Sequence, residues 1–128
     1  MKKDSDLSPD LYRVAREQGT EAPFTGRYWD SHEAGMYVCA ICGTTLFSSD
    51  AKFDSGTGWP SFTEVTNLEH VELREDRSHG TTRTEVVCKT CGAHLGHVFD
   101  DGPPDTGGKR YCINSVCLDL QEQKKAQG

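Results

Sequence analysis

The sequence contains two pairs of cysteines, each with two residues between the thiols. Cys39 and Cys42 form the first pair, and Cys88 and Cys91 form the second. Two such pairs can place four thiolates around one tetrahedral zinc ion, because two intervening residues let a turn aim both sulfurs at one point. The alternative is that one pair is a thioredoxin-like redox couple, but such a couple normally opens a helix after a buried strand. The duplication favours one structural zinc ion with these four cysteines as its ligands.

The two remaining cysteines, Cys112 and Cys117, lie together near the end of the chain. In a regular strand the side chains alternate, so Arg110, Cys112 and Asn114 would share one face and Cys117 would lie on the other. A neighbouring guanidinium lowers the pKa of a thiol and so increases its thiolate fraction, which makes Cys112 the candidate nucleophile. The other interpretation is a buried cysteine that acts as a small hydrophobic side chain. This segment by itself does not decide between them.

Two histidines follow directly after the second cysteine pair. They are His94 and His97, and Asp101 lies four residues after His97. An anionic neighbour raises a histidine pKa, so a pairing with Asp101 would keep His97 protonated near neutral pH and able to donate a proton. The alternatives are metal binding by both histidines, or a histidine that is only hydrogen-bonded in the core. Because four thiolates are already available to a metal ion, the pattern favours acid–base chemistry.

A glycine-rich loop over residues 53–62 presents an indole, that of Trp59, beside a proline. Loops of this kind often carry functional side chains. Trp59 could form the wall of an apolar binding site, or it could be a large side chain that closes the core under the loop. The composition of the loop fits both interpretations. Trp29, near the N-terminal arm, is interpreted as a packing side chain.

The elements that must position these residues are predicted to be mostly strands. Alternating or β-branched runs, separated by turn-forming residues, occur over 35–39, 70–75, 81–87, 95–99 and 109–120. One helix is predicted over residues 9–18, with Ser8 as its cap, Pro9 in the first position and Gly19 as its end. These elements predict a mainly β fold: antiparallel sheets in a compact, zinc-stapled β-sandwich or barrel-like domain with a short N-terminal helix.

Length and charge limit the classes of function. The chain has 128 residues, so residues 1–128 fit one domain, with flexible tails expected at about 1–6 and 121–128. The net charge of -6 argues against a nucleic-acid partner, which would need a basic surface. No apolar run approaches the roughly 20 residues of a membrane span, and no secretory signal is evident, so a cytoplasmic protein without a membrane partner is expected.

Taken together, these segments closely resemble the methionine-R-sulfoxide reductases, which reduce one epimer of oxidised methionine. The matching motifs run from about residue 7 to residue 118. They are both cysteine pairs, the Gly-Trp-Pro-Ser-Phe loop at 58–62, the block from His94 to Asp101, and the Arg-Tyr-Cys-x-Asn-Ser block at 110–115. Four motifs in the same order make the resemblance specific.

The resemblance implies an oxidoreductase that repairs oxidised proteins and needs no organic cofactor. Cys112 would attack the sulfoxide sulfur while His97, oriented by Asp101, gives a proton to the departing oxygen. The products would be methionine and a sulfenic acid on Cys112. Free methionine-R-sulfoxide and the same residue within proteins are both candidate substrates.

The resemblance also implies roles for the residues around the nucleophile. Asn114 and His94 would hold the polar end of the substrate pocket, and Trp59 would pack against the methyl group of the substrate. Arg110 would support the Cys112 thiolate and bind Asp101 or its surroundings.

One position departs from the common pattern of the family. Thr57 stands where many relatives carry the resolving cysteine that reduces the sulfenic acid. Cys117 is the one other thiol outside the predicted metal set, but on a regular strand it would lie on the opposite face from Cys112. An external thiol, such as thioredoxin or glutathione, is therefore expected to reduce the sulfenic acid, and Cys117 or a zinc-site cysteine is the alternative.

Two functions from other classes compete with this one. A non-enzymatic zinc-binding β module that grips a protein partner would explain the two cysteine pairs, but it gives no reason for the histidine block or for the segment around Cys112. A metal-dependent hydrolase would use His94 and His97 as ligands. The metal content of variants at these two histidines separates the hydrolase from a structural zinc site.

Overall fold

The structure, a computed structural model, describes residues 1–77 and 80–122. Within these ranges, nine strands form two antiparallel sheets. In chain order the strands are β1 (Gly35–Cys39), β2 (Thr45–Ser48), β3 (Lys52–Phe53), β4 (Ser61–Phe62), β5 (Val71–Asp76), β6 (Arg83–Cys88), β7 (His94–Phe99), β8 (Arg110–Ile113) and β9 (Leu118–Glu122). The smaller sheet has the order β2-β1-β9, and the larger has the order β3-β4-β8-β7-β6-β5. The predicted mainly β fold with antiparallel sheets is confirmed.

The one α-helix of the described residues, α1, covers Pro9–Glu17. The side-chain oxygen of Ser8 accepts a hydrogen bond from a backbone N–H of the first turn, and proline fits the first helical position because it has no N–H to satisfy. The helix ends at Gln18, which takes the left-handed conformation with φ +56° in place of the predicted Gly19. The Gln18 amide donates to the buried Glu85 carboxylate, a tertiary contact that sequence propensity does not show.

The core lies between the two sheets and beneath α1. Phe47 of the smaller sheet stacks on Phe62 of the larger one, with 4.3 Å between ring centroids. Tyr37 meets the same Phe62 ring edge to face at 5.2 Å. Offset and edge-to-face contacts of this kind add to the free energy of burial, so the aromatic cluster fixes one sheet against the other.

The prediction of one long strand over 109–120 is wrong for the second half of that range. β8 ends at Ile113, a 3-10 turn follows at Ser115–Cys117, and the chain then enters β9 of the other sheet. The break is set by Asn114, whose backbone N–H and side-chain Nδ2 both donate to the carbonyl of Leu95 at 2.9 Å. These bonds replace the regular hydrogen bonding between strands at Asn114. Neither a glycine nor a proline marks this end of the strand in the sequence.

The other predicted strands are found, and β1 has the predicted bounds. The ends of β5, β6 and β7 differ from prediction by at most two residues. The strands β2, β3 and β4 were not predicted. They contain between two and four residues, too few for alternation to be recognised in a sequence.

The N-terminal residues contact the rest of the fold. The backbone N–H of Lys2 donates to the carbonyl of Ile41 at 2.9 Å, and Arg16 of α1 binds the carboxylate of Asp4 at 2.9 Å. Of the predicted tail at 121–128, residues 123–128 lie outside the described residues, and the first two belong to β9. No helix within the described ranges is long and apolar enough to cross a membrane.

Candidate active site and metal site

Cys112 lies on a central strand of the larger sheet and lines a pocket of about 210 Å³. Its neighbours in register are Ser61 of β4 and His97 of β7. Because residues directly opposite in antiparallel strands point to the same face, His97 and Cys112 present their side chains together to this pocket. The pocket is smaller than the roughly 300–1,000 Å³ that cofactors and drug-sized ligands occupy, so its size fits a single side chain.

The strands β7 and β8 are unusually close beside the Cys112 backbone. A Cβ added to Gly96 would collide with the carbonyl oxygen of Cys112. Glycine at this position therefore lets the two strands that carry the histidine and the cysteine meet.

The pKa of the Cys112 thiol is raised above its ordinary value, first because of burial. The charge of Arg110 and hydrogen bonds from Thr57 and Arg110 lower it, and the charge of Glu21 raises it further. Arg110 acts in the predicted direction, but the expectation of a net fall in the pKa is wrong because the loss of water around the sulfur outweighs the cation. The ground state favours the protonated thiol.

Arg110 is held by two kinds of contact, an ion pair and a stacking contact with an aromatic ring. It donates to both carboxylate oxygens of Asp101, at 2.8 and 3.1 Å, and it lies 4.5 Å above the centre of the Phe99 ring. The guanidinium lowers the pKa of Asp101. The predicted contact between Arg110 and Asp101 is therefore found, whereas His97 bonds Asp76 in place of Asp101.

His97 has a different carboxylate partner from the one predicted. Its Nε2 lies 2.8 Å from Asp76 of β5, and Arg83 binds the same carboxylate at 3.2 Å. Burial lowers the pKa of His97, although the hydrogen bond to Asp76 acts in the opposite direction. The predicted rise in the pKa of His97, caused by Asp101, is therefore wrong in both its direction and its cause.

His94 lies behind His97, away from the pocket walls. The two rings meet edge to face with 5.3 Å between centroids. His94 is buried and its Nδ1 is 2.6 Å from Glu85, while its Nε2 has no hydrogen-bond partner among the described residues. The expectation that His94 lines the polar end of the pocket is not met, because among the two histidines only His97 lines this pocket.

Asn114 lines the pocket, but its amide is bonded to the backbone at both ends. Nδ2 donates to Leu95, and Oδ1 accepts the backbone N–H of Glu21 at 3.0 Å. The indole N–H of Trp59 donates to the carbonyl of the same Glu21 at 3.0 Å. The Glu21 side chain in turn accepts the backbone N–H of Val116 at 2.9 Å. Residue 21 thus joins two walls of the pocket, and nothing in the composition of its segment indicated this.

The loop before Trp59 brings Thr57 to the nucleophile. Thr57 lines the same pocket as Cys112, and a side-chain hydrogen bond from Thr57 acts to lower the pKa of the Cys112 thiol. Ser55 steadies this loop through hydrogen bonds with Thr57 and Ser61, at 2.8 and 2.7 Å. Thr57 therefore lies beside the candidate nucleophile.

The two cysteine pairs lie in turns of the same form. One joins β1 to β2 and the other joins β6 to β7. In each turn a glycine with positive φ, +77° at Gly43 and +76° at Gly92, donates its N–H to the carbonyl of the first cysteine of the pair. Since β1 belongs to the smaller sheet and β6 to the larger, these turns bring the two sheets together at one point.

The four sulfurs of these turns form one cluster and lie within 4.8 Å of one another. Cys39 is 3.6 Å from Cys91, and Cys42 is 3.6 Å from Cys88. A zinc ion about 2.3 Å from each sulfur would hold neighbouring sulfurs about 3.8 Å apart, so the cluster fits such an ion. Hydrogen bonds within the cluster lower the pKa of Cys88 and raise the pKa of Cys39, so the four thiols share their protons unequally.

A larger cavity of about 520 Å³ lies elsewhere, between α1 and the turn that follows β8. It is lined by neither a thiol nor an imidazole. The smaller pocket at Cys112 therefore remains the candidate active site.

Comparison with known proteins places these features in a family. The SelR domain matches residues 7–122. The peptide methionine sulfoxide reductase MsrB of Thiobacillus denitrificans is 62% identical over 114 residues, which are 89% of this chain and 86% of that protein. The proteins of the same name from Acinetobacter baumannii and Acinetobacter baylyi are 56% and 55% identical over 120 residues, which are 94% of this chain and 86% of each relative.

A solved structure shares the architecture at low sequence identity. The crystal structure of the Mis18 'Yippee-like' domain superposes with a TM-score of 0.57 and 16% identity, covering 73% of this chain and 100% of that one. At this identity the likeness concerns the fold alone. The SelR match across nearly all of the described residues, together with relatives that share more than half of their aligned residues, shows that this chain belongs to the MsrB family of peptide methionine sulfoxide reductases.

Proposed function

We propose that this protein reduces methionine-R-sulfoxide to methionine, with Cys112 as the nucleophile and a Cys112 sulfenic acid as the intermediate. The observation that carries this proposal is the placement of the thiols. Four of the six cysteines form the metal cluster and Cys117 is buried, whereas Cys112 lines the pocket beside His97. A thiol and an imidazole on one face are suited to attack on sulfur coupled to proton transfer.

The pKa directions define how the proton is held before the reaction. Burial favours the Cys112 thiol and the neutral His97 imidazole. A thiol beside a neutral imidazole and a thiolate beside an imidazolium hold the same number of protons. They differ only in which group carries the proton that can be transferred. We propose that His97 takes the thiol proton as Cys112 attacks and gives it to the sulfoxide oxygen, whose charge grows as its bond to sulfur breaks. Asp76 would orient the ring.

Atoms and electrons balance in this first half of the cycle. The substrate loses its sulfur–oxygen bond and its sulfur is reduced by two electrons. As the oxygen passes to Cys112, the bond that the attack formed between Cys112 and the substrate sulfur breaks. Cys112 is thereby oxidised by two electrons, and the original thiol proton ends on the sulfenic acid.

The pocket walls suit the substrate side chain. Trp59 and Phe99 provide aromatic surface for the methyl group and the sulfur, since thioether–aromatic contacts are favourable. Arg110, held by Asp101, would stabilise the thiolate as it forms. Asn114 would act by fixing the wall, and His94 by packing behind His97, so we propose that both support the site without contacting the reacting atoms.

We propose that an external thiol, such as thioredoxin or glutathione, reduces the sulfenic acid. One thiol displaces water to form a mixed disulfide with Cys112, and a second thiol releases the cysteine and forms the disulfide of the reductant. Cys117 is poorly suited to this step because it is buried and its thiol donates to the carbonyl of His94 at 3.3 Å. Thr57 lines the pocket beside Cys112 but has no sulfur.

We further propose that the four-cysteine cluster holds one structural zinc ion and that the enzyme uses no organic cofactor. When bound, zinc would join the two cysteine turns and so cross-link the sheets. Electrons would come from the external thiols. Both the cluster and the nucleophile need reduced cysteines, so we propose that the protein acts in the cytoplasm, where it would repair oxidised proteins.

Replacing the nucleophile tests the reaction. With dithiothreitol as reductant, we expect wild-type protein to reduce the R epimer of N-acetylmethionine sulfoxide and Cys112→Ser to be at least about a thousandfold slower, because serine cannot form the sulfenic acid. Chromatography of the methionine product measures both rates. Turnover of the S epimer alone would remove the proposed substrate, and unchanged turnover by Cys112→Ser would remove the proposed nucleophile.

The route of regeneration is tested at Cys117 and Thr57. We expect Cys117→Ser to retain its activity with both thioredoxin and dithiothreitol, because the external thiol reaches Cys112 directly. The matched variant Thr57→Cys places a thiol on the pocket wall beside the nucleophile, so one turnover should leave a disulfide within the chain, visible in the intact mass and in a tryptic map. A loss of activity with thioredoxin alone in Cys117→Ser would instead assign the resolving role to Cys117.

The metal site is tested by its effect on stability. We expect one zinc ion per wild-type chain, and we expect Cys88→Ser to lose it together with about 3 kcal/mol or more of the free energy of unfolding, since a structural metal contributes its binding energy to folding. Elemental analysis and chemical denaturation measure the two losses. The variants His94→Ala and His97→Ala should keep the zinc. Wild-type stability in Cys88→Ser, or zinc loss in a histidine variant, would contradict this assignment.

A further inference from the structure

A second cavity, which we call the rim groove, shares the wall of the Cys112 pocket. It has a volume of about 180 Å³ and, like that pocket, is lined by Trp59. Its other main walls are the indole of Trp29 and the exposed carboxylates of Asp30 and Asp54. The proposed chemistry at Cys112 uses none of these three residues, so the rim groove needs a separate explanation.

We propose that the rim groove binds a lysine or arginine side chain next to the methionine sulfoxide of a polypeptide substrate. This proposal rests on the proposed reductase function and names the preferred class of substrate. When a methionine side chain enters the pocket, the rest of the substrate chain must cross the rim. An extended chain advances about 3.3 Å per residue, so a site separated from the pocket by one indole is within reach of a residue one or two positions away.

The charge of the groove favours a cation. Asp30 and Asp54 are exposed to its opening, and the neighbouring cavity adds Glu33 and Asp50 to the same acidic surface. Lys52 borders that neighbouring cavity, where its ammonium donates to the carbonyl of Trp29 at 3.4 Å and is attracted by both groove carboxylates. The exposed imidazole of His32 lines both cavities as well. Even with this imidazole, one lysine leaves a net negative charge beside the four carboxylates, which a basic substrate residue would offset.

The aromatic walls suit the same occupant. An ammonium or guanidinium group is attracted to the face of an indole, and the aliphatic stem of lysine or arginine packs on apolar surface. Trp29 and Trp59 supply both kinds of contact. A glutamate at the same position would meet repulsion from the aspartates and gain nothing from the rings.

The groove is held in shape before a substrate arrives. The indole of Trp59 donates to the carbonyl of Glu21, and Phe24 meets Trp29 edge to face at 4.9 Å between ring centroids. Phe24 is 55% exposed and has a φ of +64°, a strained conformation for this residue, and its N–H donates to the carbonyl of Gly58 at 2.8 Å. Strained and exposed side chains that are fixed in this way are typical of binding surfaces, and fixed walls reduce the entropy lost on binding.

Matched peptides test the proposal. Short capped peptides would carry methionine-R-sulfoxide with lysine, alanine or glutamate on one side, and a second set would carry these residues on the other side. The free N-acetylated sulfoxide serves as the reference substrate. For at least one side we expect wild-type kcat/KM to be about tenfold higher with lysine than with glutamate, because the groove attracts one charge and repels the other.

Variants assign the preference to the groove. In the double variant Asp30→Asn and Asp54→Asn, we expect the ratio of kcat/KM for the lysine and glutamate peptides to fall to about twofold or less. The matched control removes two exposed aspartates elsewhere, as Asp10→Asn and Asp105→Asn, and should keep the wild-type ratio. These measurements use the full chain with dithiothreitol as reductant.

Equal kcat/KM for the lysine and glutamate peptides on both sides, with the free sulfoxide still reduced, would overturn the rim groove proposal and leave the reductase function intact. A preference that survives in the groove variant, or that falls equally in the control variant, would also overturn it. Failure to reduce any R-sulfoxide would overturn both proposals.

Discussion

The burial of one sulfur atom is the constraint on which this site depends. Cys112 sits within the larger sheet, where the loss of water raises the pKa of its thiol, and Arg110 and Thr57 act against that rise without cancelling it. The arginine can do so because contacts with Asp101 and Phe99 hold it in place. A nucleophile that keeps its proton in the resting state reacts slowly with oxidants other than its substrate. It also brings into the reaction the proton that the sulfoxide oxygen requires.

The elements around this sulfur are joined by a few contacts between distant parts of the chain. The cysteine turns bring the two sheets together at one end, and the stacked Phe47 and Phe62 hold them in the middle. Glu21 ties the loop of Trp59 to the turn after β8 through its backbone and its carboxylate. For a domain of this size such links matter, because its hydrophobic core alone supplies little excess stability.

The chemistry-bearing residues were readable from the sequence, because their patterns are local. Two cysteines with two residues between them already define half of a metal site, and alternation along β8 places Arg110 and Cys112 on one face. The partners of the histidines were not readable. Asp76 and Glu85 reach His97 and His94 through the pairing of β5, β6 and β7, and this register is a property of the folded sheet. The directions of the pKa shifts at Cys112 and His97 were missed for a related reason, since burial is not visible in a sequence.

The most direct test of the account is the pH dependence of Cys112 alkylation in the native protein. Thiolate reacts and thiol does not, so the rate of iodoacetamide labelling, followed by mass spectrometry of the Cys112 peptide, rises with pH through the pKa of this thiol. The account predicts a midpoint above that of an ordinary cysteine in the wild type and a still higher midpoint in Arg110→Gln, because that variant removes the opposing cation. A wild-type midpoint at or below the ordinary value, or a fall in the midpoint in Arg110→Gln, would contradict it.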